Sequence, residues 1–168
     1  MDGGIIVHAT GEVMNMKLTQ KETMLLKDLK ASEELCIEQY GTYAERAEDP
    51  ELKTLFETIR SGELQHLSTI ESLMQGTVPM TGGGQQKQQQ NGNSSSGSCE
   101  SCGKASKSDE FLCHDALDTE KHVSSVYDTC IFEFSDAGAR DALNHIQKEE
   151  QQHGKQLYDY MSAHGMCA

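Results

Sequence analysis

Apolar residues recur every three or four positions through four separate stretches of the chain, the period of a helix with one buried face. The first stripe runs Leu26, Leu29, Cys36, Tyr40, Ala44 and Ala47. The second runs Leu52, Leu55, Phe56, Ile59, Leu67, Ile70 and Leu73, and the third Cys113, Leu117, Val123, Tyr127, Cys130 and Phe134. A fourth carries Ala142, Leu143 and Ile146. No stretch alternates with period two, so the pattern predicts an all-α protein of four helices.

Start and stop signals bound these elements. Thr19 and Glu22 have capping-box spacing, and the first helix is expected to run to about Glu48. Asp49 caps the second, with Pro50 at its first position, and Gly76 stops it. The third is expected from near Asp109 to about Ser135; Asp136 then caps the fourth, which ends near Gly165. Residues 77–108 are rich in Gly, Gln and Ser, with almost nothing to bury, and read as a flexible linker. Fully extended, that segment reaches roughly 100 Å, longer than any helix of this chain, so it can cross from one end of a bundle to the other. The predicted organisation is a tail over 1–18, a helical hairpin over 19–76, the linker over 77–108 and a second hairpin over 109–165, with both hairpins in one domain.

Polar residues interrupt the stripes at particular points. Glu63 and His66, in "SGELQHL", fall on the apolar face of the second helix, and Glu150 and His153, in "KEEQQHG", repeat the spacing. A single Glu-x-x-His pair is usually a solvated helix face. Here Glu33 and Glu120 each stand 30 residues before one of the glutamates, and Tyr40 and Tyr127 follow them by seven. All four matching pairs share one offset of 87 residues: Glu33 with Glu120, Tyr40 with Tyr127, Glu63 with Glu150, His66 with His153. Ile59 with Ile146, Phe56 with Leu143, Leu55 with Ala142 and Asp49 with Asp136 keep the same offset. The chain is therefore read as a duplicated helical hairpin.

Within each hairpin the two glutamates lie almost equally far from the turn, so antiparallel packing brings them to one height. Residues three apart share a helix face, so each histidine points with its glutamate. Pairing the hairpins gathers four carboxylates and two imidazoles in mid-bundle. A buried charge left unpaired is costly. Two divalent cations would balance four carboxylates beside neutral histidines. The oxygen and nitrogen donors suit two iron or manganese ions, and zinc fits the same set in a purified sample. Glu33, Glu63, His66, Glu120, Glu150 and His153 are the expected metal ligands, with Tyr40 and Tyr127 in reach as hydrogen-bond partners of those ligands.

Composition narrows the partners. The formal net charge of -13 argues against a nucleic-acid surface or an anionic membrane. No apolar run approaches the ~20 residues of a membrane span. The opening residues, "MDGGIIVHATGEVMNMK", show no basic region followed by a long apolar core, so cytoplasmic synthesis without a signal peptide is expected. Cys99 and Cys102 form one Cys-x-x-Cys pair, half of a four-sulfur site, and no second pair exists. A redox-active pair, a cross-link between chains, a metal site shared in a dimer and two ordinary linker cysteines all remain open readings. Cys36 and Cys130 read as small core residues. His8, His114, His122, His145 and His164 fit no ligand pattern and read as surface residues.

The duplicated Glu-x6-Tyr and Glu-x-x-His pattern, spanning both hairpins, resembles the ferritin-like superfamily and within it the rubrerythrin branch. That resemblance implies a ferritin-like four-helix bundle in which the six Glu and His residues hold a dinuclear centre. The second half, ending "LYDYMSAHGM", resembles the Coat F domain of spore coat proteins, which implies a place in the spore coat. Two functions follow as expectations. One is an oxidoreductase-like centre acting on O2 or peroxide. The other is a structural coat component in which metal only stabilises the bundle. Expected partners are other coat proteins or further copies of this chain. Unlike a rubrerythrin, the chain has no complete rubredoxin-like iron site and no obvious extra ligating glutamate.

Overall fold

The computed structural model describes residues 16–79 and 106–166. The linker cysteines Cys99 and Cys102, together with Cys167 and His8, lie outside the described residues, as do most of the expected tail and linker. Four helices make up the described chain: α1 (Gln20–Arg46), α2 (Pro50–Met74), α3 (Lys107–Glu133) and α4 (Ala137–Ala163). No strand occurs among the described residues.

Each helix starts on a side-chain cap. Thr19 and Glu22 form the full capping box on α1, and the Asp49 carboxylate accepts from the Glu51 N–H, with Pro50 opening α2. Asp136 accepts from the Ala139 N–H to start α4. Gly76 and Gly165, with φ of 77° and 68°, take the left-handed turn that ends α2 and α4. The third helix begins at Lys107, near Asp109 as expected. Ser106 is its cap and accepts from the Asp109 N–H. Asp109 is a buried residue of that first turn with a further task.

The helices pair as two antiparallel hairpins, α1 with α2 and α3 with α4, and α1 also packs on α3 and α2 on α4. Asp109 accepts hydrogen bonds from the N–H groups of Glu48 and Asp49 at 2.9 and 3.1 Å, so α3 starts beside the α1–α2 turn. The end of α2 lies at the other end of the bundle. There the Met16 N–H donates to the Gly76 carbonyl, and Val78 packs at Gly138. The end of α2 and the start of α3 therefore lie at opposite ends of the bundle, and α1 lies antiparallel to α3.

The core is apolar at both ends. Leu26, Leu29, Ile70 and Leu73 fill one end, and Leu52, Phe56, Leu112, Ala116 and Leu157 the other. Tyr40, Tyr43 and Phe56 pack ring against ring with centroids 5.5 to 6.4 Å apart. Cys36 and Cys130 are buried, as expected of small core residues. Apolar packing is interrupted at mid-height. Glu33, Glu120 and Glu150 are the middle residues of their 27-residue helices, and Glu63 sits one residue past the middle of the 25-residue α2.

Candidate metal centre

The helical period turns one glutamate from each of the four helices, and one histidine each from α2 and α4, toward the same point. All six are buried, with relative exposure between 0% and 8%. They form two overlapping groups, Glu33–Glu63–His66–Glu150 and Glu63–Glu120–Glu150–His153. Within each group one donor atom per residue lies within 4.8 Å of all the others. Glu63 and Glu150 belong to both groups, the position a bridging carboxylate needs.

Both imidazoles turn Nδ1 inward. His66 Nδ1 lies 3.3 Å from Glu63, 3.2 Å from Glu150 and 3.7 Å from Glu33. His153 Nδ1 lies 2.8 Å from Glu63, 3.5 Å from Glu150 and 3.7 Å from Glu120. The two rings stack, with centroids 5.5 Å apart. Five buried atoms of this set nevertheless have no aligned hydrogen-bond partner: one oxygen each of Glu33, Glu63, Glu120 and Glu150, and Nδ1 of His153. Folded interiors rarely leave such atoms without an aligned partner, and their gathering at one point is compatible with a bound cation. Oxygen donors with an imidazole nitrogen, in two groups sharing two carboxylates, are compatible with a dimetal site.

The electrostatics of the metal-free cluster point the same way. Burial, with the charges of Glu150 and Glu63, lifts Glu33 to about 8 despite His66. Burial lifts Glu120 to about 8 as well, against His153. Glu63 meets the same burial, but His153 and His66 outweigh it and hold its carboxyl at about 2. Glu150 is lowered in the same way, burial yielding to the two histidines. Burial would discharge the histidines, yet the surrounding carboxylates raise His66 and lift His153 to about 11. In the metal-free set burial therefore favours the protonated forms of Glu33 and Glu120, while Glu63 and Glu150 and the two histidines favour one another's charged forms. Protons hold the places that two divalent cations would take.

The tyrosines cross between hairpins. Tyr40 donates its O–H to Glu120, and Tyr127 donates to Glu33. Each thus holds the glutamate of the opposite hairpin rather than one on its own helix. Of the histidines expected at the surface, His114, His122 and His145 are exposed. His164 is half-buried, stacked on Tyr160 with Nε2 3.5 Å from Asp49.

Three acidic residues have roles that the sequence pattern left unread, one beside the site and two at the ends of the bundle. Glu149 Oε2 lies 3.1 Å from His66 Nε2. No pattern signalled it, because it has no counterpart in the first hairpin. Glu22 and Asp109 are buried clamps on the turn of the opposite hairpin. Their signal was present, since they stand at the same offset of 87.

Four helices in two antiparallel hairpins, the second starting at the end of the bundle opposite to where the first stops, around a buried carboxylate and histidine set, define a ferritin-like fold. A solved structure from Anabaena variabilis, a two-domain protein containing DJ-1/ThiJ/PfpI-like and ferritin-like domains, matches 91% of this chain with a TM-score of 0.66 and 14% identity. The chain spans 39% of that protein's length, and the likeness is one of fold. Residues 108–168, the second hairpin, match the Coat F domain. No curated protein matches the chain. No helix among the described residues is long and apolar enough to cross a membrane.

Proposed function

We propose that this chain is a spore-coat-type ferritin-like protein that binds two iron or manganese ions and reacts with O2 or peroxide. The observation that carries this reading is the convergence of six buried Glu and His side chains from four helices into two overlapping donor groups. Glu63 and Glu150 would bridge the ions, Glu33 and Glu120 would each close one side, and His66 and His153 would complete the two donor sets through Nδ1. When bound, such a metal pair supplies the electrons that reduce O2 or peroxide, and an external reductant restores it. Tyr40 and Tyr127 hold Glu120 and Glu33 in place, and the apolar ends of the bundle keep bulk water from the cluster.

The place in the spore coat rests on the Coat F match over residues 108–168. That match also favours a second reading, in which the bundle is a coat building block and the metal a folding staple. Elemental analysis of the purified full chain, with anomalous scattering at the iron and manganese edges, tests the centre itself. Two ions between the hairpins are expected; absence of both after anaerobic reconstitution would sink it. Glu63→Ala then separates the two readings. Loss of peroxide turnover relative to an active wild type supports the enzyme, whereas a wild type without turnover, losing only thermal stability on substitution, supports the staple.

A further inference from the structure

The duplication is broken at two positions next to the histidines. At the offset of 87, Glu149 of α4 corresponds to Gly62 of α2. Glu149 Oε2 sits 3.1 Å from His66 Nε2, the ring nitrogen turned away from the cluster. Its other oxygen lies 3.5 Å from His145 Nε2, one turn back on α4. Gly62 offers His153 no such partner; a Cβ placed there would come within 2.7 Å of His153 Nε2. One outer imidazole nitrogen is therefore backed by a carboxylate, and the other faces a position that carries no side chain.

The second break follows each histidine directly: Leu67 in α2 corresponds to Gly154 in α4. Over Gly154 a groove of about 340 Å³ lies between α3 and α4, lined by Leu117, Lys121, Ser124 and Gln151 and by the helix positions of Glu120 and Glu150. Both glutamates belong to the His153 group. The side of the centre whose histidine is unbacked is thus also the side on which the groove lies.

We infer that the two halves of the centre are unequal by construction: Glu149 positions His66 so that its half takes a metal ion first and holds it more tightly, while the His153 half, reached through the Gly154 groove, holds the exchangeable ion. This rests on the dimetal reading above. A carboxylate accepting the Nε2–H fixes the tautomer that points the Nδ1 lone pair at the cluster and raises its basicity. Loss of such a partner typically weakens metal binding about 10- to 100-fold. Glu149 acts through His66, so it is a positioning residue.

The test is a Mn(II) titration of the metal-stripped full chain, with free Mn(II) read by electron paramagnetic resonance. Two separate binding steps are expected for the wild type. Glu149→Gln should weaken the tighter step by about 10- to 100-fold and draw the two together, and Glu149→Asp should restore part of the separation. Gly154→Leu, whose Cβ would meet Leu117 and Glu120 at ordinary contact distances of 3.6 and 3.8 Å, should slow uptake of the second ion and leave the first unchanged. Two ions bound with equal affinity, unmoved by Glu149→Gln, would overturn this inference and leave the centre standing. No Mn(II) or Fe(II) bound at all would overturn both.

Discussion

Glu33 and Glu120 are carboxylic acids whose protonated forms the fold favours, because burial and the neighbouring Glu63 and Glu150 raise both to about 8. His66 and His153 are held cationic by the same carboxylates. Filling the site with metal must displace those protons, since ligands bind deprotonated. Binding of two divalent ions near pH 7 should therefore release about four protons, two from the glutamates and two from the histidines. The sign follows: the metal-free form binds more protons, so affinity climbs as pH rises. Calorimetric titrations in two buffers of different ionisation enthalpy give the proton count directly. A release near zero would mean that the cluster is already deprotonated when metal arrives. Residue spacing marked all six of these side chains, but it could not assign their charge states. Those depend on which group faces which across four helices.

At the scale of the helices, the duplication is also a set of reciprocal clasps. Glu22 at the start of α1 accepts the N–H and hydroxyl of Ser135 in the α3–α4 turn, at 3.0 and 3.1 Å. Asp109, its counterpart in α3, accepts the N–H groups of the α1–α2 turn. Arg60 of α2 donates to the Ile37 carbonyl and Gln147 of α4 to the Ser124 carbonyl, again at matching positions. Tyr160 and His164 add a link without counterpart: the tyrosine O–H donates to Asp49 at 2.6 Å and fastens the end of α4 to the first turn. Burial would raise the Glu22 carboxyl, but the N–H groups of Ser135 and Thr19 and their hydroxyls outweigh it and hold it at about 2. A group lowered on folding stabilises the native state above its ordinary value of 4.5 and loses that contribution as pH falls toward 2. Acid unfolding of Glu22→Gln, followed by circular dichroism, should accordingly show a shallower decline over that window than the wild type. Near neutral pH, Asp109→Ala should cost about 1–3 kcal/mol in urea unfolding, because two turn N–H groups lose their acceptor. An unchanged midpoint would show that water replaces the carboxylate at no cost.

The whole chain carries a formal net charge of -13, which sets how copies meet. Like-charged copies repel, and salt screens that repulsion over a Debye length of about 8 Å at physiological ionic strength. If the proposed coat role is carried by further copies of this chain, self-association measured by sedimentation should strengthen as salt is added. A basic coat partner would behave oppositely, its complex weakening with salt. Exposed Phe111, Phe132 and Leu35 show that charge does not cover the whole surface. On the dimetal reading, metal acts at this scale too. Ions that bind only the folded bundle stabilise it by mass action, so the chelated protein should melt below the loaded one.

Apolar spacing by itself determined the four helices of the described residues, because each has one face to bury. The offset of 87 determined that the helices form two like hairpins and named the six converging residues, since like sequences bury like positions. What spacing cannot hold is contact between residues far apart in the chain. Only the packed bundle sends Tyr40 to Glu120 and Tyr127 to Glu33, because the hairpins meet antiparallel. Packing alone also decided that Asp109 closes a turn 60 residues away, and that Glu149 backs His66 while His153 faces Gly62. A repeat in sequence specifies what the two halves share. Their difference arises where the halves touch, and there the tertiary structure is the first place it becomes visible.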